Sequence, residues 1–106
     1  MSELTKLSQQ IHNTAVEKGF WNSAPNITFV LSKIALIHSE GSEVLEAVRK
    51  TQGSKAIAEE LADILIRTLD LYAGMKENYA LPDLDSVMKS KMAKNSKRPH
   101  MHGVLA

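Results

Sequence analysis

The stretch that decides the fold is SEGSEVLEAVRKTQGSKAIAEELAD, which runs from residue 39 to residue 63. Its first part, up to Lys50, continues a pattern of apolar residues with the helical period, and a second such pattern begins at Lys55. Only the short polar connection Thr51-Gln52-Gly53-Ser54 separates them. Because so short a connection joins antiparallel neighbours, the sequence predicts a helical hairpin that turns at Gly53.

Two pairs of carboxylates lie at matching distances from this turn. Glu40 and Glu43 form an i, i+3 pair on the incoming helix, and Glu60 and Asp63 form another on the outgoing helix. Residues three apart are neighbours on a helix, so we expect the four carboxylates to converge. Carboxylate oxygens suit a hard divalent cation, Mg²⁺ first. From the residues alone, a metal site and a solvated acidic face stay open as alternatives. His38 lies two residues before Glu40 and so does not complete the Glu-x-x-His pattern of iron or manganese carboxylate proteins.

The composition excludes several classes of function. The 106 residues suit one small domain, which we expect to span the whole of 1–106. A net charge of +1 provides no general basic field for nucleic acid, and the absence of cysteine excludes disulfides and thiol chemistry. The N-terminus lacks a signal-peptide pattern, and no apolar run approaches the roughly 20 residues of a membrane span. We therefore expect a cytoplasmic protein without a membrane or nucleic-acid partner.

The periodicity predicts an all-α, four-helix bundle-like protomer. The helices are expected at about 3–18, 27–50, 55–78 and 83–94, with an irregular tail over 96–106. Ser2 and Asn26 are candidate N-caps of the first two helices. On the fourth helix, the side chains expected to point inward are Leu84, Val87, Met88 and Met92.

The third helix is more apolar than one neighbour requires. Its apolar residues cover an arc of about 220° at the helical rotation of about 100° per residue. An ordinary amphipathic helix has an apolar stripe nearer 100° wide. We therefore expect a second copy to cover the remainder, in a homodimer or a homotetramer.

Other candidate residues have both a structural and a functional interpretation. Trp21, the only tryptophan, either closes the end of the bundle or stacks on a ligand, and by position alone His12 is better explained as a structural histidine. Lys91, Asn95 and Arg98 belong to a cationic C-terminal segment that either serves solubility or clamps phosphate.

In combination these motifs resemble the all-α nucleoside triphosphate pyrophosphohydrolases of the MazG-like type. The resemblance rests on the Glu-x-x-Glu and Glu-x-x-Asp pairs described above and on the helix that follows the second pair. It extends to the C-terminal segment, where Lys91 and Asn95 precede Arg98-Pro99 and His102-Gly103. The similarity covers about residues 4–103, and the chain is a short, single-unit version of the family.

The resemblance implies hydrolysis of (d)NTPs to the monophosphate and pyrophosphate in nucleotide house-cleaning, with Mg²⁺, or Mn²⁺ as a substitute, held by the four carboxylates. Glu40 or Glu43 would activate the attacking water. In the related deoxycytidine triphosphatases, a first-helix histidine and a tryptophan nine residues later contact the base, and His12 and Trp21 have this spacing. The family resemblance further implies contacts of Lys33 with the phosphates, and of Lys91, Asn95 and Arg98 with phosphate or sugar. The alternative is a non-catalytic helical module whose apolar third helix binds a partner protein.

Overall fold

A computed structural model describes residues 3–21 and 26–99. Within these ranges the chain is all-helical and contains no strand, which confirms the predicted fold class. The candidate cap Ser2, part of the loop after Trp21, and the His102-Gly103 motif lie outside the described residues. The four helices are α1 (Glu3–Glu17), α2 (Ile27–Arg49), α3 (Ser54–Tyr79) and α4 (Leu84–Ser96).

The helix ends follow local capping chemistry. The Asn26 side chain accepts a hydrogen bond from the backbone N–H of Phe29 at 2.9 Å, which confirms Asn26 as the N-cap of α2. Asp83 caps α4 in the same way by accepting from the N–H of Ser86. Gly53 precedes α3 with a φ of +99°, a conformation that a residue with a side chain rarely adopts.

Helix α3 is the centre of the structure, because it packs against α2 on one side and α1 on the other. Ser8 of α1 donates a hydrogen bond from its hydroxyl to the backbone carbonyl of Leu69 at 2.6 Å. Helix α4 packs against α1, where the backbone N–H of Thr5 donates to Asp85 at 2.9 Å and its hydroxyl to Asp83 at 3.0 Å. The buried apolar residues of the described chain are Val30, Ala47, Leu69, Leu71, Ala73 and Leu84.

Much of the apolar surface remains exposed in the single chain. On α4 only Leu84 is buried, so the expectation that Val87, Met88 and Met92 also point inward is wrong for the isolated chain. The reason is that α4 packs against α1 alone among its substantial contacts and covers little of its own length. The large exposed apolar residues of α2 and α3 include Ile27, Leu31, Leu45, Val48, Leu61 and Leu65.

This exposed surface includes the α3 residues that the sequence assigned to a second copy, and the homodimer stays a prediction. None of the described helices is long and apolar enough to cross a membrane.

Candidate functional site

The α2–α3 hairpin brings the predicted carboxylates together. One side-chain oxygen from each of Glu40, Glu60 and Asp63 lies within 4.8 Å of the others. Glu43 adjoins this group, because its side chain is hydrogen-bonded to that of Glu60. That hydrogen bond, together with burial and the neighbouring negative charges, raises the pKa of Glu60. Three of the four predicted carboxylates therefore converge, and Glu43 lies beside them.

The chemistry of this cluster fits a divalent cation. Glu40 is only 9% exposed, although a carboxylate is rarely buried without a positive partner. Among the described residues, Glu40 Oε2 and Glu60 Oε2 are buried and have no hydrogen-bond partner. Buried lone pairs that nothing satisfies are costly, and several converging carboxylate oxygens are the donor set that Mg²⁺ and Mn²⁺ prefer. The arrangement is therefore suited to a metal ion held by Glu40, Glu60 and Asp63, with Glu43 beside them.

A groove of about 660 Å³ extends from this cluster between α1, α2 and α3. Asp63 lies at its edge and is shared between groove and cluster. The apolar part of the lining includes Leu7, Ile11, Ala15, Phe20, Leu36 and Ile66. The charged part includes Lys18, Lys33, Arg67 and Asp70. An apolar groove with a few charged groups is typical of a site for a small organic ligand that carries charge at one end.

Asp70 organises the residues behind one wall of the groove. Its carboxylate lies 2.8 Å from His12 Nδ1 and accepts the indole N–H of Trp21 at 3.0 Å. The other imidazole nitrogen of His12 lies 3.4 Å from a carboxylate oxygen of Glu77. His12 is 2% exposed, and neither it nor Trp21 is among the residues that line the groove. The structure thus places both behind the groove surface, and their direct contact with a base stays a prediction.

The indole of Trp21 packs directly against α3 at Gly74. A β-carbon added at Gly74, one helical turn after Asp70, would lie 2.3 Å from Cη2 of Trp21. The ring also meets His12 edge-on, with centroids 4.7 Å apart. Asp70 and Gly74 therefore form one seat for the indole, which supports the structural interpretation of Trp21 without testing the ligand-stacking one.

Lys33 lines the groove but rests on aromatic rings. Its ammonium lies 4.9 Å from the ring centroid of Trp21, 5.3 Å from that of Phe29 and 5.9 Å from that of Phe20. These are cation–π distances. Burial lowers the pKa of Lys33, and the nearby positive charge of Arg67 acts in the same direction against the opposing effect of Asp70. The predicted contact of Lys33 with phosphate requires a ligand that enters the groove.

The three C-terminal candidates lie elsewhere in the single chain. Lys91 and Asn95 are exposed residues of α4, and Arg98 follows that helix. None of the three lines the groove beside the carboxylates. Lys91 instead borders a shallow depression of about 340 Å³ on α4, together with Ser86, Val87, Ser90 and Lys94.

Two charged residues of the site were not predicted. Arg67 donates from Nε to Glu40 Oε1 at 2.7 Å, and Asp70 holds His12 and Trp21. The signal for both is present in the sequence, because Arg67 and Asp70 continue the polar strip of α3 four and seven residues after Asp63. That strip predicts a shared face, but it does not predict the partners on α1 and α2.

A family model, the MazG nucleotide pyrophosphohydrolase domain, matches residues 30–102. The match begins in α2 and includes all four carboxylates of the cluster, Arg67 and the three C-terminal candidates. No curated protein and no solved structure matches the chain.

Proposed function

Because the chain belongs to the MazG nucleotide pyrophosphohydrolase family, we propose that it hydrolyses (deoxy)nucleoside triphosphates to the monophosphate and pyrophosphate with Mg²⁺ as cofactor, Mn²⁺ serving as a substitute. The observation that carries the proposal is the convergence of Glu40, Glu60 and Asp63 within 4.8 Å beside an apolar groove. We further propose that residues 1–106 act as one domain in the cytoplasm, in nucleotide house-cleaning.

The roles of the four carboxylates differ in this proposal. Glu40, Glu60 and Asp63 would hold a metal ion together with Glu43, and a bound ion would supply positive charge that offsets the negative charge of the triphosphate facing a water nucleophile. Oε1 of Glu40 already accepts a hydrogen bond from Arg67, whereas Glu43 is exposed beside Glu60. We therefore assign the orientation and deprotonation of the attacking water to Glu43 in preference to Glu40.

The groove supplies the place for the nucleoside. Its apolar lining suits a base and a sugar, while Lys33 and Arg67 supply positive charge for phosphates at the end near Asp63. His12 and Trp21 support the groove wall through Asp70, and we keep both as candidate contacts for the base.

A second copy of the chain is part of the proposal, as a homodimer or a homotetramer. It is supported by the exposed apolar surfaces of α2 and α3, which a solvated monomer rarely displays. A second copy would also give a role to Lys91, Asn95 and Arg98, which lie outside the groove of their own chain. In an assembly these residues would contact the substrate bound in the groove of a neighbouring copy. Light scattering after size exclusion tests this directly, since a mass of one chain at micromolar concentration would contradict it.

The experiment that tests the activity is pyrophosphate release from a panel of canonical and modified dNTPs with Mg²⁺. We expect turnover by the wild-type protein and a loss of about 10²–10⁴-fold in kcat for Glu43→Gln, the range for removing a general base. Glu46→Gln is the matched control, because Glu46 lies one turn further along α2, where it pairs with Arg49 and Lys50.

Two results would contradict this proposal. Absence of turnover on every nucleotide would favour the alternative of a non-catalytic helical module that binds a protein partner. Equal activity of Glu43→Gln and Glu46→Gln would remove Glu43 from the catalytic role while leaving the family activity intact.

A further inference from the structure

Arg67 holds a position that connects the carboxylate cluster to the groove. Its Nε donates to Glu40 Oε1 at 2.7 Å, and its side chain, 42% exposed, lines the groove. Glu40 lies on α2 and Arg67 on α3, 27 residues further along the chain. One guanidinium is therefore in contact with a proposed metal ligand and accessible to a ligand in the groove.

The ion pair between Arg67 and Glu40 offsets part of the negative charge of the carboxylate cluster. Four carboxylates repel one another, and Glu40 is the most buried of them. A buried carboxylate needs a positive partner, and Arg67 is the cationic side chain paired with it among the described residues. A bound divalent cation would supply that charge instead and would use the same carboxylate. Arg67 occupies Glu40 Oε1 and leaves Oε2 without a partner, so a cation bound at Oε2 would repel the guanidinium across the same carboxylate and weaken the ion pair.

We propose that Arg67 is an internal counter-ion of the carboxylate cluster, which pairs with Glu40 in the metal-free protein and transfers to the phosphates of the groove ligand when a divalent cation takes its place. The inference rests on the proposed function for the metal site itself. It makes Arg67 a residue that couples metal binding to phosphate binding. A guanidinium is suited to this transfer, because its fork matches a carboxylate and a phosphate equally well.

The proposal predicts an order of binding. In the metal-free protein Arg67 is engaged by Glu40 and the cluster repels a polyphosphate, so anions bind poorly. Once the cluster is neutralised, the guanidinium of Arg67 is released toward the groove, which Lys33 also lines. A purely structural ion pair between α2 and α3 would show no such coupling.

The test measures Mn²⁺ binding to the metal-free protein by calorimetry, with no nucleotide present. In Arg67→Met the guanidinium that repels the metal is removed, and we expect Mn²⁺ to bind at least about tenfold more tightly, as the loss of a unit charge a few ångströms away allows. Arg49→Met is the matched control, because Arg49 also forms an ion pair with a glutamate of α2, Glu46, but away from the carboxylate cluster. The Mn²⁺ affinity of this variant should equal that of the wild type.

The second arm measures inorganic pyrophosphate binding at saturating Mn²⁺. Arg67→Met should bind pyrophosphate about tenfold more weakly, since it lacks the transferred guanidinium. Arg67→Lys keeps the positive charge but replaces the guanidinium fork with a single ammonium group. It serves as the second variant if circular dichroism shows that Arg67→Met is poorly helical. We expect its Mn²⁺ affinity to lie between those of the wild type and Arg67→Met.

The outcomes separate this inference from the proposed function. If the wild type binds Mn²⁺ but both Arg67 variants bind it equally or more weakly, Arg67 only positions Glu40 and the inference is overturned. Unchanged pyrophosphate affinity in Arg67→Met overturns the transfer. If the wild type itself binds no Mn²⁺, the proposed metal site fails, and the counter-ion role fails with it.

Discussion

The seat of Trp21 on α3 gives the sharpest prediction about stability. The substitution is Gly74→Ala, which adds one β-carbon where the indole ring lies. That carbon would be 2.3 Å from Cη2 and 2.7 Å from both Cζ2 and Cζ3 of Trp21. Non-bonded carbon atoms pack at about 3.5–4.0 Å, so the added carbon would lie more than about 1 Å too close to Cη2 of the indole. The ring must leave its seat, because Gly74 is fixed in the middle of a helix.

The magnitude follows from two opposing effects. Alanine is favoured over glycine in a helix by up to about 1 kcal/mol. Overpacking of this kind costs about 1–3 kcal/mol, and displacement of the ring also breaks the indole hydrogen bond to Asp70. We expect Gly74→Ala to lower the free energy of unfolding by about 1–2 kcal/mol. In Gly41→Ala nothing lies within 4 Å of the added carbon, so this variant should gain up to about 1 kcal/mol.

Urea unfolding followed by circular dichroism, without divalent ions, measures both free energies. Trp21 is the only tryptophan, so its fluorescence reports on the seat without interference from another site. The emission of native Gly74→Ala should shift to longer wavelength as the indole becomes solvated, whereas that of Gly41→Ala should not. Equal stability of the two variants with unchanged emission would refute the close contact. A loss of stability in Gly41→Ala would instead indicate that a second copy approaches α2 at that glycine.

Two further predictions concern other parts of the chain. The pKa of Asp83 is lowered in the folded protein by the hydroxyl of Thr5, the backbone N–H of Ser86 and the charge of Lys76. The ionised carboxylate therefore stabilises the fold at pH values above the unfolded pKa of about 4, and this stability is lost as the pH falls through the folded pKa. Urea unfolding between pH 7 and pH 3 should therefore show the difference between wild type and Asp83→Asn shrinking below about pH 4, and a constant difference would contradict this origin. Leu65→Glu, at a side chain 62% exposed in the single chain, should leave helicity intact but reduce the mass seen by light scattering, and an unchanged oligomer would exclude this face of α3 from the interface.

The helices were predictable because their signals are local. The apolar period and the side-chain cap at Asn26 are encoded within a few residues, and the observed ends differ from the predicted ones by only one or two positions. The convergence of Glu40, Glu60 and Asp63 was also within reach, since a short turn fixes the register of a hairpin.

Contacts between distant parts of the chain were not predictable in the same way. Arg67 meets Glu40 across 27 residues, and His12 meets Asp70 across 58. A helical wheel gives the direction of each side chain but not the angle at which another helix crosses it. The same limit explains the error at Met88, whose apolar character says that it should be covered but not by which surface.

The small core of the single chain connects the proposed metal site with the proposed homo-oligomer. Six apolar residues are buried among those the structure describes, and a chain of this length has little other means of offsetting the entropy cost of folding when it contains no disulfide. Helix α3 carries Glu60, Asp63 and Arg67 on one strip and exposed leucines elsewhere on its surface. A second copy that covers those leucines would therefore also hold α3 against α2, and with it the distances within the carboxylate cluster. On this argument the metal site and the proposed interface are stabilised by the same helix, so a loss of assembly should weaken metal binding even though no ligand is changed.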